Sequence, residues 1–542
     1  MKKVPIAVED FKEIIKQDYY YVDKTKFIED ILNDGAKVKL FCRPRRFGKT
    51  LNMSTLKYFL DIENKEENKE LFKGLYIENS PLMREQGKYP VVFISMKGIK
   101  GESFEKLNES LVIYISNLYG DFKHIRNFLD ERDLVIYDRI WKREEKGYRE
   151  SLLFLTRVLN SHYNQQVVML IDEYDAPLLS AYEHGYYDEA VNFFKEFYGA
   201  VLKTNVNFKF GVMTGAIRVA HAGIFSDLNN LAVHTILEEK YDDYFGLLES
   251  EVKQILKYYD IEYTKDEVKL WYDGYRFGKV DVYNPWSIIN YVDNQKLKAY
   301  WINTSGNLLI KNLLMKSNSR VFDELQNLVE GKSKVIFINE SVAMGNHLAP
   351  NNLWELMLFS GYLTVEDKIN EGTYTVRIPN NEVRSFFKML FVDILFTNEY
   401  RNIEEMKQAL ITKDYKGILD SIRDLVLNVS SYYDLSKQNE NAYHMLFAVF
   451  LYGVSDFYIV YSNIETGHGR ADLILKSKNK IFSSYIFEFK KSNEYHLKEN
   501  AKRAYEQIEN KKYETILTKE EIKDIVKIGL AFDGKRVEGY YK

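Results

Sequence analysis

The sequence predicts an α/β protein in three parts: an α/β segment over residues 1–240, a mostly helical connector over 241–435, and a second α/β segment over 436–542. Three observations carry this. Strand-like apolar runs at 37–42, 91–95, 167–172 and 208–213 are interspersed with helical stretches at 51–60 and 104–119. Helical patterns dominate 241–435. The final stretch reads helix, three strands, helix, strand. At 542 residues the chain is also too long for one ordinary core.

In chain order, the run 37–42 and the helix 51–60 flank the turn Arg43-Pro44-Arg45-Arg46-Phe47-Gly48-Lys49-Thr50. A phosphate-binding loop needs backbone N–H groups at a helix N-terminus, a lysine on the terminal phosphates and a hydroxyl on magnesium. Gly48, Lys49 and Thr50 supply the second half of G-x-x-x-x-G-K-[ST], and Arg43 stands where the first glycine belongs. On these residues alone a basic surface turn competes with that reading. The strand at 167–172 runs into two acids, with Asp172 placed to hold magnesium through water and Glu173 to polarise an attacking water. The strand from 208 ends in Thr214, placed to sense a γ-phosphate. Arg218 follows as a cis sensor, a trans finger or a strand-end salt bridge. Arg45 and Arg46 would complement phosphate charge, and Asp175 would cap a helix start. The run 91–95 and the helix 104–119 read as an extra strand and helix inserted between the two motifs.

The connector carries three aromatic–glycine clusters, at 271–278, 283–287 and 300–307. Exposed aromatics can stack bases, but the favoured reading is that these fix turns and pack a helical subdomain onto the sheet. Farther on, 440–454 reads as an apolar helix, 457–461 as a strand and 465–469 as a turn. Strands at 470–476 and 485–490, a helix at 498–517 and a strand at 526–532 complete the chain. Side chains alternate along a strand, so Glu488 and Lys490 share a face, where Asp472 from the neighbouring strand can join them. Two carboxylates can hold a divalent cation, and a lysine beside them can orient or help deprotonate a water, which is the chemistry of phosphodiester hydrolysis. Taken alone, an E-x-K triplet is more often an ordinary surface pair.

The C-terminal order and its strings E-N-A-Y-H (440–444), E-T-G-H-G-R-A-D (465–472), E-F-K (488–490) and Q-I-E-N-K-K-Y (507–513) resemble the PD-(D/E)XK nuclease superfamily. That resemblance implies Asp472 and Glu488 as metal ligands, Lys490 as the water-orienting group, Glu440 and Glu465 as outer carboxylates, and Gln507 as a support from the following helix. His444 would be a proton carrier, a phosphate contact or a packing histidine, and Arg470 a phosphate contact or a solvated side chain. In the first half, Y-V-D-K-T (21–25), R-P-R-R-F-G-K-T (43–50), D-E-Y-D (172–175), T-G-A-I-R (214–218) and I-F-S-D-L-N-N-L (224–231) resemble the bacterial AAA-ATPase-like family. That family's pattern shares the arginine at 43, so the missing glycine does not argue against nucleotide binding. The implied cofactors are ATP and Mg2+, with Mn2+ an alternative at the nuclease centre.

A pI near 6.2 and a net charge of −4 carry no global polyanion signal, so nucleic-acid binding must rest on local patches. The helix carrying Lys498, Lys502, Arg503, Lys511 and Lys512 is one candidate, with a solvated face as its alternative. A single cysteine, Cys42, excludes an intramolecular disulfide and a cysteine-based zinc site. No apolar run is long enough for a membrane span, and no hydrophobic segment follows the first lysines, so a cytoplasmic protein is expected. The expected function is ATP binding and hydrolysis with metal-dependent, ATP-regulated cleavage of nucleic acid. DNA is favoured over RNA by superfamily analogy alone. The rival is a signalling NTPase that gates nucleic-acid or protein binding, with the nuclease fold inactive or serving as an effector arm. Homo-oligomerisation stays open.

Overall fold

The computed structural model describes every residue except 145–147, 218–224, 226–229, 263–264, 302–306, 316, 318, 339–349, 396–399, 430–452, 455–456, 480 and 535. The chain forms two compact units, one of Met1–Ser317 with Glu330–Val383, the other of Asn318–Val329 with Arg384–Lys542. Among the described residues no helix is long and apolar enough to cross a membrane.

The first unit is built on a five-stranded parallel sheet. Its strands are β1 (Val38–Cys42), β2 (Val91–Ser95), β3 (Val167–Asp172), β4 (Phe208–Gly215) and β5 (Leu231–His234), in the order β2-β3-β4-β1-β5. Every residue of β1 and β3 is buried, as in strands covered on both faces by crossover helices. Parallel strands end on one edge, and here that edge gathers the turn after β1, the acids after β3 and Thr214 at the end of β4. The inserted strand β2 lies at the sheet edge beside β3, and the helix expected with it spans Phe104–Asp121. Strand β5, which follows a polar segment without strand-like periodicity, was not foreseen.

Past residue 241 the first unit has helices, a hairpin of β6 (Tyr275–Phe277) with β7 (Val280–Val282), and an antiparallel sheet. That sheet has the order β8-β10-β9, from Lys334–Phe337, Thr373–Arg377 and Thr364–Asn370. The three aromatic–glycine clusters meet around one fully buried carboxylate, Glu382. It accepts hydrogen bonds from Ser287 Oγ (2.7 Å) and from the backbone N–H groups of Tyr300 and Trp301. Three donors offset the cost of burying that charge.

The second unit holds a five-stranded mixed sheet in sequence order: β11 (Tyr458–Thr466), β12 (Gly469–Ser477), β13 (Ser484–Lys491), β14 (Ile525–Asp533) and β15 (Arg536–Tyr541). Only the β13–β14 pairing is parallel, and the helix Leu497–Lys511 makes that crossover. Strand β15 was not foreseen. One face of the sheet, with Leu473, Tyr485, Phe487 and Leu530, packs against Met406, Leu410, Ile418 and Ile422 of the helices Tyr400–Thr412 and Tyr415–Val429. The other face buries Ile474 and Ile486 against Ile508, Tyr513 and Leu517. Each large apolar side chain so buried contributes about 1.5–3 kcal/mol. Alternation along β13 then puts Glu488 and Lys490 on the Ile486 side, toward the crossover helix.

Candidate functional site

The sheet edge of the first unit brings six of the expected residues together. Gly48 stands at the N-cap of helix Lys49–Leu60 with φ 78°, a left-handed conformation that glycine adopts without strain. Lys49 Nζ is buried and donates to the carbonyls of Arg43 (3.0 Å) and Pro44 (2.9 Å). Thr50 Oγ1 donates to Asp172 Oδ2 at 2.7 Å, and Thr214 Oγ1 donates to Asp172 Oδ1, so one carboxylate at the end of β3 joins β4 to the helix that follows β1. Glu173 follows with φ 52°, its N–H reaching Thr214 Oγ1 at 3.4 Å. Burial pushes the Glu173 carboxyl up against the pull of the Lys49 ammonium, and burial lowers the Lys49 ammonium in turn. These are hard oxygen donors beside a lysine, a set that suits Mg2+ and a polyphosphate.

The three arginines of the turn make separate contacts. Arg43 is fully buried and donates to the carbonyls of Cys42 (3.1 Å), His234 (2.8 Å) and Tyr241 (3.2 Å), with its guanidinium against the rings of Phe245 and Phe277. It ties β1 to β5. Arg45 is exposed, and its carbonyl accepts from Trp301 Nε1 at 3.1 Å. Arg46 pairs with Glu9 at 3.2 Å and lies 4.3 Å over the Trp286 ring. Arg218 lies outside the described residues. Asp175 does not cap the helix Ala176–His184 with its side chain. Its Oδ2 instead accepts the N–H groups of Ala216 and Ile217, both at 2.9 Å, because the end of β4 leaves those donors buried beside it.

In the second unit, Asp472 on β12 and Glu488 on β13 come together with Lys490 and Gln507. Asp472 Oδ2 accepts the Phe489 N–H at 2.8 Å. Lys490 Nζ donates to Gln507 Oε1 at 2.7 Å, while Gln507 Nε2 donates to Glu488 Oε1 and lies 3.2 Å from the Tyr513 hydroxyl. Burial, and then the Asp472 charge, raise the Glu488 carboxyl well above the usual carboxylate range. Its Oε2 is buried without a hydrogen-bond partner. An orphaned buried oxygen beside a second carboxylate is the environment a divalent cation relieves. Among the described residues no three His, Cys, Asp or Glu side chains gather for a metal. A cation here would take its remaining oxygens from water and substrate, as Mg2+ commonly does. Glu465 and Arg470 are exposed and face each other across the β11–β12 hairpin. Glu440 and His444 lie outside the described residues.

Both sites fall within, or partly within, segments that match known families. Residues 5–225 match the family described as predicted AAA-ATPase, and residues 438–539 match the PD-(D/E)XK nuclease superfamily. The chain joins an AAA-ATPase-like domain to a PD-(D/E)XK nuclease superfamily domain. A protein of Azotobacter chroococcum mcd 1, named "Uncharacterized protein in vnfD 5'region", is 25% identical over 502 residues. That similarity covers 90% of this chain and 89% of the relative.

Several working parts of the two domains were not visible as such in the sequence. In the PD-(D/E)XK domain the glycines of the 465–469 string serve a docking turn. Gly467 has φ 59°, and a Cβ there would lie 2.2 Å from the Lys511 carbonyl, while the His468 N–H donates to that same carbonyl at 2.8 Å. Thr466 Oγ1 adds a bond to the Tyr513 carbonyl at 3.1 Å, so the hairpin tip fixes the end of the helix that carries Gln507. Tyr513, the last residue of its string, had no assigned role and proves to touch Gln507. In the AAA-ATPase-like domain, Asp23 accepts from Thr25 and Tyr76, and Lys24 pairs with Glu251 at 2.7 Å. Both side chains hold the N-terminal segment in place.

Proposed function

We propose that this protein binds and hydrolyses ATP and cleaves DNA with a divalent cation, the first activity regulating the second. The observation that carries the nuclease reading is Glu488, a buried carboxylate with one unpartnered oxygen beside Asp472 and one oxygen held by the same glutamine that holds Lys490. A cation held by Asp472 and Glu488 would supply Lewis-acid stabilisation of charge at a scissile phosphate. Lys490, kept in place by Gln507, orients the attacking water and stabilises the hydroxide it becomes. The water oxygen gives up a proton to bulk water and bonds to phosphorus, the P–O ester bond breaks, and the leaving oxygen takes a proton from solvent water.

At the other centre, Lys49 exchanges the two loop carbonyls for phosphate oxygens, and Thr50 with Asp172 would hold the Mg2+ that neutralises them. Glu173, with its raised carboxyl, accepts the proton of the water that attacks the γ-phosphate. The test is cleavage of single-stranded, duplex and branched DNA and of RNA in Mg2+ or Mn2+, with ATP, ADP or no nucleotide. Cleavage should require the metal and change rate with ATP, and Glu173→Gln should alter that response. No cleavage of any substrate in either metal defeats the nuclease reading. One rate under all nucleotide conditions defeats the regulation alone.

A further inference from the structure

Between β13 and the helix Leu497–Lys511, residues 492–496 form a loop whose two ends are both tied down beside Lys490. The Ser492 N–H donates to the Phe532 carbonyl at 2.8 Å, and Asn500 Nδ2 donates to Ser492 Oγ at 3.0 Å. His496 Nδ1 lies 2.7 Å from Asn493 Oδ1, and the His496 N–H donates to the Asn493 carbonyl at 3.1 Å. At the far end Leu497 packs on Ala531, the register partner of Lys490. From this fixed loop Tyr495 projects with 88% of its surface exposed, and it bonds or stacks with no described residue. Its surroundings are basic. Lys491 and Lys498 flank it, both exposed and without an ion-pair partner among the described residues. Glu494, the acid within the loop, is taken up by Arg536. Farther along the helix, Lys502 and Arg503 are answered by Glu506 (3.9 Å) and Glu499 (2.7 Å), which leaves Lys498 as the uncompensated charge next to the loop.

We propose that this loop holds a single-stranded stretch of DNA beside the scissile phosphate, with a base stacked on Tyr495 and phosphates on Lys491 and Lys498. The proposal takes its location from the nuclease reading of Asp472, Glu488 and Lys490, and it adds the form of the substrate. An aromatic face between lysines grips a single strand whatever its sequence, because the charge follows the backbone and the ring takes a base. In a duplex each base is paired and covered on both faces by its neighbours. Tyr495 then has no base to take, and only the two lysines make contact. A lone exposed aromatic is ordinary on a protein surface. This one stands on a loop held by its own hydrogen bonds, between two uncompensated lysines and next to Lys490. A loop already ordered also avoids the entropy cost that a mobile one meets on binding.

The test is equilibrium binding, by the full chain, of a single-stranded DNA oligonucleotide and of a blunt duplex of the same sequence, with Ca2+ replacing Mg2+ so that the strands stay uncut. The parent is compared with Tyr495→Ala, with Tyr495→Phe and with the double variant Lys491→Gln, Lys498→Gln. The parent should hold the single strand at least about fivefold more tightly than the duplex. Tyr495→Ala should lose at least about fivefold on the single strand and less than about twofold on the duplex, and Tyr495→Phe, which keeps the ring, should bind as the parent does. The double lysine variant should weaken both and flatten the log–log salt dependence on the single strand by about 1–1.5. Single-strand binding that is unchanged in Tyr495→Ala, or lost equally in Tyr495→Phe, overturns the stacking. Equal losses on single strand and duplex, or a parent that prefers the duplex, overturn the substrate form. A parent salt slope in the double variant overturns the phosphate contacts. Cleavage of the same strands in Mg2+ separates these results from the nuclease reading: a parent that binds the single strand through Tyr495 and cuts neither form removes that reading alone. A parent that binds neither form overturns the proposal.

Discussion

Glu488 and Asp61 are both carboxyls raised by burial, yet they lead to different expectations. Glu488 sits against Asp472, and its cost in the metal-free fold is the counterpart of its use. Glu488→Gln or Asp472→Ala should cut cleavage by at least about a hundredfold without lowering the melting temperature, since each removes a charge from a crowded, desolvated place. A variant that cleaves like the parent in saturating Mg2+ would show the site to be elsewhere. Asp61, at the end of helix Lys49–Leu60, accepts the Glu63 N–H at 3.1 Å and is pushed up to about 7, chiefly by burial. A folded-state pKa above the unfolded value favours the fold while the group is protonated. That contribution is complete below the ordinary aspartate range and is lost as pH rises through about 7. Melting curves from pH 5 to 8 should therefore fall more steeply for the parent than for Asp61→Asn, and parallel curves would contradict this.

Local elements, not single residues, set the geometry around Asp472 and Glu488. The helix Leu497–Lys511 crosses β14 at Gly529, where a Cβ would stand 2.2 Å from the Ala501 carbonyl and 2.3 Å from the Tyr505 nitrogen. Gly529 is the register partner of Glu488, so any displacement of the helix there carries Gln507 away from the carboxylate it holds. Gly529→Val should cost about 1–3 kcal/mol by overpacking and depress cleavage well beyond that loss. ATP hydrolysis, in the other unit, should stay near the parent value. Equal loss of both activities would point to general unfolding. Much of this was legible in the sequence, because an alternating strand fixes which face Glu488 and Lys490 share, and Gly48, Lys49 and Thr50 are consecutive residues at one turn. The role of Arg43 was not legible, since its three carbonyl partners include two almost 200 positions away and only the pairing of β1 with β5 brings them close. Gly529 lies in a plain apolar run, and nothing local in that run shows that a helix passes over it.

For the molecule as a whole, the least legible facts were which distant segments complete each unit. The amphipathic helices Tyr400–Thr412 and Tyr415–Val429 show an apolar face in sequence but not what it covers. In the fold they bury the face of the nuclease sheet that carries Tyr485, Phe487 and Leu530. A fragment of residues 384–542 is therefore expected to fold and one of residues 436–542 to aggregate, as judged by cooperative melting and gel filtration. Two well-folded fragments of equal stability would contradict that packing. The interleaving of the units has a further consequence during synthesis. Glu382, which orders Trp301 and through it the Arg45 carbonyl, follows Lys49 by 333 residues. At about 5–20 residues per second the nascent chain waits on the order of 20–60 s between making the turn at residues 43–50 and making the carboxylate that helps to lock it. Through that interval the first sheet exists without its last brace and is open to capture by a chaperone. Ribosome-bound chains stalled soon after residue 317 has emerged should retain less nucleotide than chains stalled after residue 383 has emerged.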